Sequence, residues 1–263
     1  AAWNLCTFEQ LSRDRIQQQA KGLALLDAEL ITLVEIKDRD HVETMIDDLS
    51  GWGVEYDYDL VEQNNPDEGR SPMHIGVLFK RGVEVSNSRL MDGSDLGNKN
   101  FRRAYICDVK IHRFDFKLIG VHLKSGREFS NQQIRDEQCK VIGQFITDLR
   151  GPVDRNPDVL LMGDFNMIPG QDTSNFFHLG GDDIMDFVSS WDLQERYSHI
   201  LPSGRENLLD GCAISRRFST EYIKGSLRLF PMHWHMGMGQ ARFREDVSDH
   251  LPFVASFLLK ALD

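Results

Sequence analysis

Acidic, amide and imidazole side chains stand beside apolar, strand-like runs at several places in this 263-residue sequence. They are Glu35 after LITLV, His122 after KLIGV, Asp164 and Asn166 in GDFN after VLLM, and Asp249 and His250 before LPFVASF. Side chains at strand ends can converge on one edge of a sheet. There, carboxylates bind a hard cation such as Mg²⁺, and a carboxylate or imidazole can activate water. The pattern favours hydrolysis of a phosphoester.

Each of these residues has a simpler structural interpretation when it is taken alone. An Asp-x-Asn sequence places two polar side chains on one side of an extended segment, but Asp164 and Asn166 also suit an Asx turn. Ser248–His250 suits a simple turn as well. A lone His after a strand is more often structural than catalytic. The occurrence of all these features in one order along the chain favours the catalytic interpretation.

Composition restricts the classes of protein. The formal net charge of -11 argues against coating of nucleic acid by bulk electrostatics, although it allows an enzyme with local cations. Hydrophobic residues make up 41% and charged residues 27%, as in ordinary globular proteins. No apolar run approaches the roughly 20 residues that span a bilayer. The sequence thus predicts one domain over residues 1–263, a monomer without a membrane span.

The four cysteines include no CxxC pair, which leaves a zinc knuckle unsupported. Their apolar neighbours predict buried free thiols, with one disulfide as the alternative for an exported protein. A secreted or periplasmic location is preferred here to a cytoplasmic one.

Apolar periodicity predicts many strands and few helices. The strongest helix covers 131–149 with Asn131 as its cap, and a short helix covers 45–49. Helical pieces are expected in 172–190 and irregular structure in 231–248. The expected strands are 29–36, 54–61, 74–80, 83–90, 103–111, 115–123, 159–162, 208–215, 221–230 and 251–259. This order predicts two sheets packed face to face, with helices outside.

The motifs and their order resemble the endonuclease/exonuclease/phosphatase superfamily. The segments that carry the resemblance are Trp3-Asn4, Leu33-Val34-Glu35, Val121–Ser125, Gly163-Asp164-Phe165-Asn166, Leu209–Ser215 and Ser248-Asp249-His250. The resemblance implies an α/β protein, a four-layer αββα sandwich of two packed mixed β-sheets flanked by helices. It also implies a metal-dependent phosphoric ester hydrolase with its site at one edge.

The resemblance further implies a role for each matching residue. The metal ligands would be Asn4, Glu35 and Asp249. The catalytic residues would be His122, Asp164, Asn166, Asp210 and His250, with Asp210 polarising His250 and His122 on the leaving-group side. The implied cofactor is Mg²⁺, with Mn²⁺ as a substitute and Ca²⁺ also compatible.

Some positions depart from the pattern of the superfamily. In the deoxyribonuclease branch an acid partners the His that matches His122, but the corresponding stretch 72–75 contains no acid. Cys6 stands where repair nucleases often have a second acid. A phosphate-contacting Arg of the superfamily matches Arg102 or Arg103, of which Arg103 is preferred, and Lys124 is a further substrate-binding candidate.

Three functions remain open at this point. The first is a nuclease acting on DNA or RNA, which the His122 motif favours. The second is a phosphatase or phosphodiesterase acting on small-molecule or lipid phosphoesters, which suits the few basic residues of the polar loops 63–72 and 93–100. The third, a binding protein without activity, is disfavoured because it has no need of the full set of catalytic residues.

Overall fold

A computed structural model of the chain describes residues 1–6, 11–149, 158–180, 185–187, 197–203, 206–215 and 220–259, with only the backbone at 185–187 and 206. Its helices are α1 (Arg13–Leu26), α2 (Arg39–Gly51), α3 (Phe129–Asp148), α4 (Thr173–His178), α5 (Met232–His235) and α6 (Gln240–Asp246). The strands before α3 are β1 (Ala2–Asn4), β2 (Leu30–Ile36), β3 (Asp57–Val61), β4 (His74–Phe79), β5 (Val83–Leu90), β6 (Tyr105–Ile111) and β7 (Phe114–His122). Those after it are β8 (Asp158–Asp164), β9 (Met185–Phe187), β10 (His199–Ile200), β11 (Glu206–Asn207), β12 (Asp210–Ser215), β13 (Arg228–Leu229) and β14 (Phe253–Val254).

Two mixed sheets form the centre of the fold. The first has the strand order β13-β14-β1-β2-β4-β3 and the second β5-β6-β7-β8-β12-β9. Each contains one parallel pair, β1 with β2 and β7 with β8, among antiparallel neighbours. Parallel pairing aligns the carboxyl ends of neighbouring strands, so the residues that follow β1 and β2, or β7 and β8, lie side by side.

The two sheets pack face to face through a continuous apolar core that includes Leu33 and Val77 of the first sheet and Leu118 and Leu160 of the second. Close approach depends on Gly120, because a Cβ there would lie 2.9 Å from Ile75 Cγ2. Contacts of this kind fix the separation of the sheets.

Helices cover the outer faces. Strand β2 is buried along its whole length, as expected for a strand covered on both sides, and α1 and α2 contribute Leu23 and Met45 to the same core. A second cluster joins Ile142 of α3 to Leu161 of β8. The order of layers is therefore α, β, β, α, which confirms the predicted four-layer sandwich.

Several predicted boundaries were wrong. The predicted strands 221–230 and 251–259 contain only the two-residue strands β13 and β14, and the segment 231–248, predicted to be irregular, contains α5 and α6. Helix α2 is longer than the predicted 45–49, because Asp38 caps it by accepting a bond from His41 N at 2.8 Å. Helix α3 begins at Phe129, so Asn131 lies inside it rather than at its cap. In 172–190, α4 and β9 are described, and 181–184 and 188–190 lie outside the described residues.

None of the described helices combines the length and apolar character needed to cross a bilayer. All four cysteines are buried and unpaired, in agreement with the expectation of free thiols.

Candidate active site

Strand ends from both sheets meet at one edge of the sandwich, and Asn4 lies between them. Its Nδ2 donates to Glu35 Oε1 at 3.2 Å and to Asp164 Oδ2 at 3.1 Å. The same two oxygens lie 3.6 and 3.8 Å from His122 Nε2. The structure therefore brings together residues that are up to 160 positions apart, and each of the four is at most 7% exposed.

Glu35 reaches this position through an irregularity in β2. The register between β2 and β4 shifts between Leu33 and Ile36, and Glu35 has a φ of 60°. Such a left-handed conformation is strained for a residue with a Cβ, and bulges of this kind redirect side chains. The shift turns the carboxylate of Glu35 toward Asn4.

Two residues of the GDFN sequence, Gly163 and Asn166, have backbone conformations that few residues tolerate. Gly163 has a φ of 135°, and a Cβ there would lie 2.2 Å from Val121 O. Asn166 adopts the left-handed region with a φ of 51°, donates from its backbone N to Asp164 Oδ1 at 2.9 Å and from Nδ2 to Leu123 O at 3.1 Å. This is an Asx-type turn, so the structural interpretation of the motif holds together with the functional one.

Asp210 and His250 form a buried pair. Asp210 lies opposite Asp164 in the pairing of β12 with β8, and its Oδ2 accepts a 2.6 Å bond from His250 Nδ1. Burial disfavours a charged ring, but the charge of Asp210 and the bond to it raise the pKa of His250 to about 10. His250 Nε2 lies 4.0 Å from Asp164 Oδ2, so the protonated ring faces the carboxylates.

Backbone contacts hold His250 in place. Trp3 Nε1 donates to His250 O at 2.8 Å, and Ser248 Oγ accepts from His250 N at 2.9 Å. Ser248 Oγ also donates to Asn4 O at 2.7 Å, so the SDH motif is hydrogen-bonded to the end of the first strand.

Asp249 has a neighbour that sequence reasoning missed. His199 Nε2 lies 3.4 Å from Asp249 Oδ2, and the His199 ring contacts that of His250 with centroids 4.7 Å apart. Burial opposes the ionised form of Asp249, but the bond to His199 and the charge of His250 hold its pKa well below the ordinary value. His199 belongs to no motif, so only the three-dimensional contact reveals it.

His122 lacks the acidic partner found in the deoxyribonuclease branch. Its Nδ1 is buried and has no hydrogen-bond partner among the described residues. Burial and the positive charges of Arg102 and His250 hold the pKa of His122 well below its ordinary value. From the stretch where an acid was sought, Met73 Sδ contacts the Arg102 guanidinium instead, and His74 Nδ1 accepts a bond from Gln63 N at 2.8 Å.

The two neighbouring arginines differ in their surroundings. Arg103 Nε donates to Asp95 Oδ2 at 2.9 Å, and its backbone N donates to Gln63 Oε1. Arg102 makes no ion pair with a described residue, and Glu35 and Asp164 are close enough to act on its pKa, which burial lowers. Arg102 is therefore the arginine near the carboxylates, and Arg103, which the resemblance favoured, is bonded to Asp95. Which of the two contacts phosphate stays a prediction.

Lys124 lies at the rim of the site. Its Nζ donates to Ser125 O at 2.6 Å, and its backbone N donates to Gln138 Oε1 at 3.0 Å. Partial burial and the nearby charge of Arg102 lower the pKa of Lys124. Lys124 and Arg102 thus belong to one positive region beside the carboxylates.

The ionised forms of the Asp164 and Glu35 carboxylates are disfavoured in the folded protein. Burial, followed by the charge of Asp210, raises the pKa of Asp164 to about 7, and burial raises that of Glu35. Buried acids that face one another in this way are commonly found where a cation or a reacting group is bound. The carboxylates of Glu35 and Asp249 are oxygen donors of the kind that a hard divalent cation takes, whereas Asn4 turns Nδ2 toward Glu35 and its Oδ1 accepts from Cys6 N.

Comparison with known proteins identifies solved structures that share the fold of this chain. No protein-family model and no curated protein sequence matches it. Solved structures do match: TDP2 of D. rerio complexed with single strand DNA product has 17% identity and a TM-score of 0.71, over 98% of this chain and 97% of that one. The human Nocturnin catalytic domain with bound sulfate anion has 16% identity and a TM-score of 0.66, over 94% and 87%. An endonuclease/exonuclease/phosphatase from Bacteroides vulgatus has 12% identity and a TM-score of 0.68, over 98% and 97%.

At these identities the likeness establishes the fold. The chain has the fold of the endonuclease/exonuclease/phosphatase superfamily, and the resemblance seen in the motifs is confirmed at that level.

Proposed function

We propose that this protein is a divalent-metal-dependent phosphodiesterase that hydrolyses nucleic acid. The observation that carries the proposal is the convergence of Glu35, Asp164 and the Asp210–His250 pair at one edge of the sandwich, beside the guanidinium of Arg102. Carboxylates beside an imidazolium and a guanidinium that forms no ion pair with any described residue suit a reaction centre that carries a negative charge.

Asn4, Glu35 and Asp249 would hold the cation, as Mg²⁺ or Mn²⁺, with Asn4 taking part through Oδ1, which also accepts from Cys6 N. The fit rests on the buried carboxylates, because burial raises the pKa of Glu35. When bound, the cation would polarise the phosphoryl oxygen and neutralise the charge that develops on it.

The protein groups would supply the remaining steps. Asp164, fixed by the bond from Asn166 N, would orient and deprotonate the attacking water. The His250 imidazolium, held by Asp210, would donate a hydrogen bond to a phosphate oxygen. One N–H of Asn166 is used by Leu123 O, which leaves the second for the phosphate.

His122 takes a different role from that of a general acid. Because Nδ1 has no partner among the described residues and carboxylate oxygens lie near Nε2, the neutral ring would carry its proton on Nε2. His122 would then donate a hydrogen bond to the phosphate or to the leaving oxygen without losing its proton.

Nucleic acid is supported as the substrate by the fold shared with TDP2, which was solved with a DNA product. A second candidate, a phosphatase or phosphodiesterase of small or lipid phosphoesters, is supported by the net charge of -11 and by a positive region limited to residues such as Arg102 and Lys124.

Cleavage assays with Mg²⁺ or Mn²⁺ separate these candidates. The substrates are supercoiled plasmid, a single-stranded DNA oligonucleotide, RNA, bis-p-nitrophenyl phosphate and a phosphate monoester. Our proposal predicts that at least one nucleic acid is cleaved at a higher kcat/KM than either small ester. Cleavage of the small esters alone would favour the second candidate, and no cleavage of any substrate with either metal would refute hydrolysis altogether.

A further inference from the structure

His199 lies opposite His250 in a short antiparallel contact that involves β10. Two backbone hydrogen bonds of 2.7 Å flank the pair, Ile200 N to Asp249 O and Leu251 N to Ser198 O. With bonds on both sides and none between them, the two histidines form a non-hydrogen-bonded pair. In such a pair the facing side chains are at their closest.

The imidazole of His199 makes two contacts from this position. Its Nε2 lies 3.4 Å from Asp249 Oδ2, and its ring lies against that of His250 with the centroids 4.7 Å apart and the planes at 32°. The side chain of His199 is 19% exposed and that of Asp249 8%, so the pair is largely shielded from water.

The other oxygen of Asp249 faces the centre of the site. Its Oδ1 lies 3.9 Å from His250 Nε2, while Oδ2 is engaged by His199. Cys6 also forms a side-chain hydrogen bond with Asp249, and a carboxylate that His199 engages at Oδ2 cannot rotate freely, so Oδ1 keeps its direction. The ring of His250, bonded to Asp210 at Nδ1, is covered on one face by His199.

We propose that His199 is a positioning residue, which directs Asp249 Oδ1 toward the site and fixes the ring of His250 from one face. It acts through these two residues and has no need to touch the substrate. The inference rests on the proposed function, in which Asp249 holds a metal and His250 faces the phosphate.

Three variants separate the two contacts. His199→Gln keeps an N–H donor for Asp249 and removes the ring, His199→Phe keeps a ring against His250 and removes the donor, and His199→Ala removes both. His235→Phe is the matched control, because His235 is exposed and stacks on Phe230 outside the site.

Each variant is tested for Mn²⁺ affinity by calorimetric titration of the metal-free protein, for kcat and KM on bis-p-nitrophenyl phosphate, and for its melting temperature. Loss of the hydrogen bond to a ligating carboxylate typically weakens metal binding by about 10- to 100-fold, and we expect this in His199→Phe and His199→Ala. His199→Gln should bind Mn²⁺ within about threefold of wild type but show a lower kcat, since the His250 ring has lost its support. His235→Phe should match wild type in every measurement.

Two results would overturn the proposal. Wild-type Mn²⁺ affinity and kcat in both the Phe and Ala variants would show that neither contact matters. Mn²⁺ binding as weak in His199→Gln as in His199→Ala would show that the imidazole itself is a metal ligand. If the Phe variant fails to fold, the Gln and Ala variants still decide. The Mn²⁺ titrations need no substrate, so they test His199 even if no phosphodiester is cleaved and the proposed function fails.

Discussion

At the scale of single residues, Asn4 shows how one amide can connect two sheets. It stands at the end of β1 in the first sheet, yet it donates to Asp164 at the end of β8 in the second as well as to Glu35. An amide is suited to this place because it donates to both carboxylates without adding a charge, and its Oδ1 accepts from Cys6 N.

Glu35 allows a test of function against stability. Burial raises its pKa, so the ionised carboxylate opposes folding at neutral pH in the absence of metal. We expect Glu35→Gln to lower kcat/KM by at least about 100-fold, through loss of the principal metal ligand, while the melting temperature of the metal-free protein stays equal or rises. Calorimetry and ester hydrolysis measure both effects, and wild-type activity in this variant would contradict the assignment of the ligand.

Arg102 and Arg103 form a matched pair of targets. Arg102→Met should lower kcat/KM by about 10- to 100-fold and weaken inhibition by sulfate, because a charged donor to the phosphate is lost. Arg103→Met should keep its activity and lower the melting temperature, since it breaks the ion pair with Asp95. Loss of activity in Arg103→Met but not in Arg102→Met would show instead that Arg103 contacts the phosphate.

The site residues that belong to sequence motifs were predictable, and those outside the motifs were not. The GDFN and SDH motifs are recognisable in the sequence. In GDFN, Gly163 and Asn166 adopt backbone conformations that few residues tolerate. His199 was not predictable, since its role arises from pairing with His250 across about 50 intervening residues. The surroundings of Arg102 were likewise not predictable, because Arg102 and Arg103 precede β6 on irregular backbone whose course the sequence does not specify.

At the scale of elements, β2 contains a hydroxyl that the core does not use. Thr32 is fully buried, and its Oγ1 has no hydrogen-bond partner among the described residues. Thr32→Val should raise the free energy of unfolding by about 1 kcal/mol, because it removes an unsatisfied polar group. Urea denaturation measures the change. Thr147→Val, which removes a hydroxyl bonded to Gly143 O, is the control and should show no gain.

Helices α1 and α2 are joined by a histidine whose titration makes stability depend on pH. His41 Nε2 donates to Gln19 Oε1 at 2.8 Å, its Nδ1 accepts from Lys37 N, and burial lowers its pKa to about 4. The unfolded chain takes up a proton near pH 6.5 and the folded one only near pH 4, so stability falls as the pH is lowered through this interval. The loss should amount to about 3 kcal/mol.

Denaturant melts between pH 4 and 7 test this dependence. His41→Gln keeps the donor to Gln19 without a titrating ring, and should lose less stability than wild type over this interval. His112→Asn, at an exposed position with a φ of 57°, is the control and should follow wild type. A His41→Gln variant that follows the wild-type curve would contradict the assignment.

Element types were predictable where apolar runs are long. Strands β2, β7 and β8 and helix α3 lie close to their predicted bounds. Near the C-terminus the prediction was poor, because the apolar residues of 221–230 and 251–259 pack into the core from mostly irregular backbone. Leu227 and Leu251 are buried there outside the strands, so burial rather than strand pairing explains their part of the pattern.

At the scale of the whole molecule, the sandwich and its edge site account for the order of motifs along the chain. Strands that are distant in sequence contribute one group each, and the two parallel pairs align them. The small positive region predicts that activity on long nucleic acids depends only weakly on salt, because the salt dependence of binding grows with the number of phosphate contacts and few cationic side chains are available here. A single domain over 1–263, a monomeric state and an exported location stay predictions from sequence.

The most direct test of the central claim is hydrolysis of bis-p-nitrophenyl phosphate by chelator-treated protein to which Mg²⁺ or Mn²⁺ is returned. We predict no turnover without metal, recovery with either ion, and a loss of at least about 100-fold in Asp164→Asn and His250→Gln. The result that would contradict the account is hydrolysis that persists in the chelator, or that proceeds in both variants as fast as in wild type.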